Sequence, residues 1–226
     1  MTIAFFDLDR TVIARNSGSL WLRSEVRKGY ISKRAALRAT TWLLRYHLGF
    51  GDLEFALREA VATLRGTHED ALRARTEAFY RREVRGLVRP GAHTALARHH
   101  ARGDLRVLLT TSSNYLSAPV TRDLGLDAYL CTTFEVRPDG VFTGEPNHPL
   151  CYGAGKVALA GAFAASRGIE LGACAFYSDS MSDLPMLEAV GHPVAVNPDP
   201  RLRRLAAARA WPVLDWGDPP RAPGPP

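Results

Sequence analysis

Two aspartates, Asp7 and Asp9, interrupt the apolar stretch FFDLDRTVI at residues 5–13. Residues two apart on an extended strand point to the same side of the pleat, so both carboxylates are expected on one face. Buried together they repel, and something must offset that repulsion. Further along, SDSMSD (178–183) supplies Asp179 and Asp183, LLTTSS (108–113) ends in hydroxyls that include Thr110 and Thr111, and Lys156 closes the segment GAGK. Several carboxylates with few other ligand types suit a hard, oxygen-seeking cation. Mg²⁺ fits that description best, because it keeps several waters and leaves room for a substrate phosphate. The hydroxyls and the Lys156 ammonium complete a cradle for the phosphate oxygens.

These residues lie far apart in the chain, so the fold must gather them. Residues 2–8 have the apolar run and β-favouring composition of a buried strand. From about residue 104 onward, strand-like segments (105–113, 128–133, 173–180, 193–197) alternate with helix-like ones (115–125, 155–168, 182–191), following a helix at 91–103. Such alternation builds a parallel sheet covered by helices on both faces. In that architecture ligands sit outside the carboxyl ends of the strands, where Asp7, Asp9, Thr110, Asp179 and the start of the Lys156 helix would meet. The segment FEVRPDGVFTGE (134–145) reads as a hairpin about its Asp-Gly turn.

Residues 17–89 have a different texture. Four stretches (20–30, 31–50, 52–66 and 67–88) carry apolar residues at helical spacing with no strand between them, and Thr67 followed by Asp70 reads as an N-cap signal. The helical block therefore interrupts the α/β domain as an insertion over the strand ends. Boundaries follow: 1–14 plus 90–217 for the core, 15–89 for the insertion, and a proline-rich tail at 218–226 expected to be disordered.

Composition narrows the classes. With 226 residues, 46% hydrophobic and 23% charged, a folded globular protein is expected. The start lacks a basic region before its apolar run, and the chain holds no apolar run long enough for a membrane span. Cys131, Cys151 and Cys174 are odd in number and widely spaced, which argues against a disulfide framework and a structural zinc site; they are expected reduced and buried in a cytoplasmic protein. The net charge of +6 is concentrated in residues 15–90, where 16 Lys/Arg face 8 Asp/Glu. Arginine is spread through helical patterns there without interleaved aromatics, so solvated helix faces are favoured over nucleic-acid binding. GAGK is not a nucleotide P-loop, since Val157 replaces the required Ser/Thr. The stripe TTWLLRYHLGF at 40–50 could lie in a membrane interface, but cap core or a dimer contact fits it better.

DLDRT, TTSS, GAGK and SDSMSD occur in the order of the four motifs of the haloacid dehalogenase (HAD) superfamily of phosphohydrolases, which the chain resembles over nearly its whole length. The C-terminal half is similar to the subfamily that includes phosphoserine phosphatases. That resemblance implies an α/β, Rossmann-like core with an inserted helical cap of the C1 type, and a Mg²⁺-dependent phosphatase. It implies Asp7 as nucleophile and Asp9 as acid and base. Asp7, the backbone carbonyl of Asp9, and Asp179 would hold the metal, with Asp183 in support; Thr11, Thr110, Thr111 and Lys156 would bind the phosphoryl group.

Three positions depart from the family pattern. Arg10 stands where many relatives have Gly, and its side chain is expected to point away harmlessly; Thr110 replaces Ser, and Ser178 replaces Gly. The expected partner is a small phosphorylated substrate, phosphoserine among the options, with Glu25 and Arg58 as cap residues that could read it. Nucleic acid and an integral membrane span are not expected; a monomer or homodimer is. Two alternatives stay open: a phosphotransferase using the same aspartyl phosphate, and a basic lipid-surface or nucleic-acid binder with a vestigial site.

Overall fold

The computed structural model describes residues 2–31 and 53–220. A six-stranded parallel sheet runs in the order β3-β2-β1-β6-β7-β8. Its strands are β1 (Ile3–Phe6), β2 (Leu105–Ser113), β3 (Ala128–Thr132), β6 (Ala175–Ser178), β7 (His192–Val196) and β8 (Val213–Leu214). The chain moves outward from β1 through β2 to β3, then returns to the other side of β1 for β6. The order therefore reverses at β1, which puts the crevice at its carboxyl end.

β1 is buried on both faces, which is why IAFF contains no polar residue. Ala4 and Phe6 join one core layer with Leu96, Leu116, Val120 and Trp216. Ile3 and Phe5 join the other with Ala160, Ala164, Phe176 and Leu202. Helices cover both sides: α4 (Pro90–Ala101) and α5 (Asn114–Leu124) on the first, α6 (Ala154–Ala165), α7 (Leu184–Ala189) and α8 (Pro200–Ala208) on the second.

Between β1 and β2 lie α1 (Ser17–Arg27), α2 (Leu53–Ala62) and α3 (Glu69–Phe79), the last continuing through a π turn at Tyr80–Val84 and a 3₁₀ turn at Arg85–Leu87. Among the described residues this block contributes no strand. A hairpin of β4 (Phe134–Val136) and β5 (Phe142–Pro146) forms a separate two-stranded antiparallel sheet and packs against α2. The stripe at 40–50 and most of the helical stretch 31–50 lie outside the described residues, as do the last six residues of the tail.

Several expectations need correction. His68, not Thr67, caps α3: its Nδ1 accepts from Asp70 N at 3.3 Å. Thr67 is drawn into the hairpin instead, its carbonyl accepting from Phe142 N at 3.0 Å. The first strand ends at Phe6, before the aspartates, because the chain turns so tightly that Val12 N reaches Asp7 O at 3.3 Å and Ile13 N reaches Leu8 O at 3.0 Å. All three cysteines are free, but Cys131 is only half-buried because β3 is an edge strand. Sequence reading assigned no element to the region that forms α8 and β8. No described helix is long and apolar enough to cross a membrane.

Candidate active site

Each polar residue of the crevice is delivered by a strand end or helix start. Asp7 follows β1 directly and is tied to β6 by its amide, which donates to Tyr177 O at 2.9 Å. Asp179 follows β6, and Asp183 sits in a 3₁₀ turn that leads into α7. Lys156 lies in the first turn of α6. Gly155 lets that turn come close to the preceding loop, since a Cβ there would stand 1.9 Å from the Leu150 carbonyl oxygen.

The gathered side chains form one hydrogen-bonded cluster. Lys156 Nζ donates to Asp7 Oδ1 at 2.7 Å and to Asp183 Oδ2 at 2.8 Å. Ser178 Oγ donates to the same Asp183 oxygen at 2.7 Å. The Thr11 hydroxyl lies 3.3 Å from both Asp7 Oδ2 and Asp179 Oδ1 and accepts from Asp179 N at 3.0 Å. Asp7, Thr11, Lys156, Ser178, Asp179 and Asp183 are all buried.

Asp9 is held separately. Its Oδ1 accepts from Ser17 N at 2.6 Å and its Oδ2 from Ser112 Oγ at 3.3 Å, while the two serine hydroxyls lie 3.0 Å apart. Thr110 is buried, with its oxygen accepting from Ser112 N at 3.1 Å. Thr111 does not join the cluster; its hydroxyl donates to Cys151 O at 2.9 Å and so anchors the loop that leads to Lys156.

Burial raises the Asp7 pKa, against the pull of Lys156. Burial also raises Asp9, opposed by the hydrogen bonds from Ser17 and Ser112. Asp179 is pushed up to about 7, by burial first and then by the charge of Asp183, with Arg10 opposing. For Lys156 burial disfavours the ammonium, but the carboxylates of Asp183 and Asp7 outweigh it and raise the pKa above that of an ordinary lysine. Three carboxylates thus share one ammonium, and a further cation would relieve the excess negative charge.

The donor set fits a hard divalent cation. Among the described residues no three His, Cys, Asp or Glu side chains are grouped so as to enclose a metal by themselves. Asp7 and Asp179, both 3.3 Å from the Thr11 hydroxyl, are oxygen donors of the kind that Mg²⁺ accepts.

Sequence reading missed several supporting groups. Ser17 carries no motif signal, whereas Ser112 lies within TTSS. Asp199, whose Oδ2 accepts from Met181 N at 2.8 Å and whose amide donates to Asp179 O at 2.8 Å, fixes the SDSMSD turn from the far side. Arg10 is exposed, as expected of a side chain that points away, but it adopts φ +62°, the left-handed region that favours glycine.

The model of the haloacid dehalogenase-like hydrolase family matches residues 4–188. An "inhibition of morphological differentiation protein" of Streptomyces azureus is 37% identical over 97% of this chain and 80% of its own length. A phosphoserine phosphatase of Mycobacterium tuberculosis is 32% identical over 94% of this chain and 70% of its own. A histidinol-phosphatase of Neisseria meningitidis is 29% identical over 95% and 98%. Among solved structures, a protein of unknown function from Bordetella pertussis superposes with a TM-score of 0.88 at 33% identity, covering 96% of this chain and all of the other. A phosphoserine phosphatase in the form of a phospho-aspartyl intermediate analogue has a TM-score of 0.70 at 18% identity, over 96% and 94%, a likeness of fold.

Proposed function

The chain belongs to the haloacid dehalogenase-like hydrolases, and from that premise we propose that it is a Mg²⁺-dependent phosphatase that hydrolyses a small phosphate monoester through an aspartyl phosphate on Asp7. The observation that carries this reading is the separation of the two aspartates of DLDRT. Asp7 is bound into the Lys156 cluster, while Asp9 is held 2.6 Å from Ser17 N in a different set of partners. Two carboxylates in unlike surroundings suit two unlike roles.

Asp7 attacks phosphorus, and the ester oxygen leaves with a proton from Asp9, whose raised pKa favours the acid form needed at that moment. Asp9 then takes a proton from the water that attacks the aspartyl phosphate. Lys156 and the Thr110 hydroxyl neutralise charge on the phosphoryl oxygens, so positioning and electrostatics supply most of the acceleration. Asp7, Asp179 and the Asp9 carbonyl would hold Mg²⁺, supported by Asp183, and the metal supplies charge neutralisation of the phosphate when bound. Residues 15–89 act as a cap over this site.

Two of the relatives are named for phosphoserine and histidinol phosphate, both esters of amino alcohols. An amino-alcohol phosphate is therefore the substrate class we favour. Release of inorganic phosphate should be measured over a panel of phosphorylated metabolites, with Mg²⁺ and with EDTA, together with borohydride trapping of the acyl phosphate and mass mapping of the modified residue. Metal-dependent turnover with the label on Asp7, absent in Asp7→Asn, is the expected result. Turnover by a folded, uncontaminated Asp7→Asn protein would sink the covalent route.

A further inference from the structure

Arg89 is an arginine placed almost out of water just before α4, with only 9% of its side chain exposed. Its guanidinium spans two regions far apart in sequence. Nε donates to the Arg10 carbonyl at 3.2 Å, while Nη1 donates to the Gly217 carbonyl at 2.5 Å and to Asp218 Oδ1 at 2.7 Å. Its own amide donates to Val12 O at 2.9 Å. Residues 215–218 are in turn fastened to the core. Trp216 is buried, its amide donates to Asn197 Oδ1 at 3.0 Å, and its carbonyl accepts from Gly91 N at 3.0 Å. The Trp216 ring lies so close over Gly91 that a Cβ there would meet it at 2.5 Å.

What Arg89 holds on the other side is the turn that carries both aspartates. Arg10 has φ +62°, an uncommon conformation for a long side chain, and such strain persists only where the surroundings over-determine it. Both peptide planes flanking Arg10 are pinned. The Asp9–Arg10 plane is held by Arg10 N donating to Arg15 O at 3.3 Å, and the Arg10–Thr11 plane by Arg89. The first plane contains the Asp9 carbonyl; the second leads directly to Thr11, whose hydroxyl links Asp7 and Asp179.

We propose that Arg89 is a positioning residue for phosphoryl transfer, a clamp through which the 215–218 strap holds the strained Arg10 turn, and with it Asp9 and Thr11, in register with Asp7. The role rests on the phosphatase reading, and Arg89 itself touches no reacting atom. A lysine at position 89 keeps the charge but cannot serve Arg10 and Gly217 together, because it lacks the planar fork.

The test uses p-nitrophenyl phosphate with Mg²⁺. Arg89→Lys should lower kcat roughly 10- to 100-fold, the scale of a small misplacement of catalytic groups, while KM stays within about twofold. Exchange of the Arg10, Val12 and Ile13 amides should quicken, and added guanidinium should restore part of the kcat of Arg89→Ala. Asp218→Ala, which removes one of the two acceptors at the strap end and leaves the Gly217 carbonyl, should give the same pattern more weakly, and it serves if Arg89→Ala does not fold. An unchanged kcat in folded Arg89→Lys overturns the proposal, as does a loss that follows the thermal midpoint without faster exchange in the turn. If the wild-type protein has no Mg²⁺-dependent activity, the phosphatase reading fails, and the exchange of the turn amides alone decides whether the clamp exists.

Discussion

Lysine and arginine meet carboxylates in two quite different ways in this protein. In the crevice Lys156 contacts Asp7 and Asp183 with side chains 2%, 10% and 4% exposed. On the helical block Arg73–Glu69, Arg81–Glu77 and Arg27–Glu83 form equally short pairs, yet their arginine side chains are 57%, 69% and 62% exposed. Distance alone does not separate the two sets. Water does: an exposed pair exchanges hydration for contact at little net gain, whereas breaking a buried pair strands a charge. In the proposed phosphatase the buried cluster is therefore where chemistry and stability are joined, and the exposed pairs are where substitution should be tolerated.

The largest effect that would test this contrast is Lys156→Met, since it strikes both properties together. It leaves Asp7 and Asp183 facing one another without their ammonium, and removes a group proposed to bind the phosphoryl oxygens. Loss of a buried partner costs about 3–5 kcal/mol, and loss of one preorganised donor costs about 10²–10³ in kcat. Chemical denaturation and steady-state kinetics on the same preparation check both. A variant with near wild-type stability and turnover would remove the distinction between the two classes of pair.

Next comes Asp9→Asn, which should leave the fold intact because Ser17 N can still donate to Oδ1 and the Ser112 hydroxyl can accept from the amide nitrogen that replaces Oδ2. General acid help is worth about 10²–10⁴ in rate. Measured on formation of the aspartyl phosphate, the loss should be large for alkyl phosphates and small for p-nitrophenyl phosphate, whose leaving group needs no proton; the later hydrolysis, where Asp9 acts as base, should slow for both. Equal losses for both esters in the first step would exclude Asp9 as the acid.

A second buried cluster carries its charge on a carboxylate beside a histidine whose charged form burial disfavours. His99 Nδ1 lies 2.9 Å from Asp104 Oδ2 and its Nε2 2.9 Å from the Tyr177 hydroxyl. Burial lowers the His99 pKa, although Asp104 opposes the shift. Asp104 lies below the usual carboxylate range: burial pushes it up, but the His99 hydrogen bond leads the effects that outweigh this. For a depressed pKa the unfolded chain binds the proton first, so stability is complete above the ordinary histidine value of about 6.5 and falls as pH drops through it. Asp104 adds a further loss below about pH 4. The thermal midpoint should therefore decline between about pH 7 and 5, and His99→Gln should flatten that slope; parallel curves for the two proteins would show that His99 does not titrate on unfolding.

How much of this was legible beforehand follows the same division. Motif residues at strand ends could be read because a parallel sheet brings its carboxyl ends together, so Asp7, Thr110, Lys156 and Asp179 were placed from spacing and order alone. What escaped depends on contacts between distant segments. The strand before the turn ends two residues earlier than the apolar pattern implied, and Arg10 takes a conformation that its side-chain type disfavours. Ser17 acts through a backbone amide and Arg89 through carbonyls that the fold brings near, with no local signature; Asp199 before Pro200 marks a helix N-cap, but its tie to the turn at 179–181 joins distant segments. Thr67 shows the same limit at small scale: a sound capping signal yields to the hairpin that uses its backbone.

The smallest effect belongs to the exposed pairs, and it sharpens the comparison from the other end. Glu77 Oε1 accepts from Arg81 and from Arg122, each at 2.9 Å, so removing one arginine leaves the other in place. The i,i+4 pair Arg81–Glu77 should then contribute no more than about 0.3–0.5 kcal/mol, the range for such pairs on a helix surface. A double-mutant cycle of Arg81→Ala with Glu77→Gln isolates that coupling from the loss of each side chain alone. Repeating it in about 1 M salt, where the Debye length falls to roughly 3 Å, should erase most of it. Activity should be untouched in every arm, because the excess of arginine in residues 15–90 is then a property of solvated helix faces. A coupling above about 1 kcal/mol that survives salt would mean that the shared Glu77 is shielded from water. In that case the joint between α3 and α5 would have to be counted with the crevice and not with the surface.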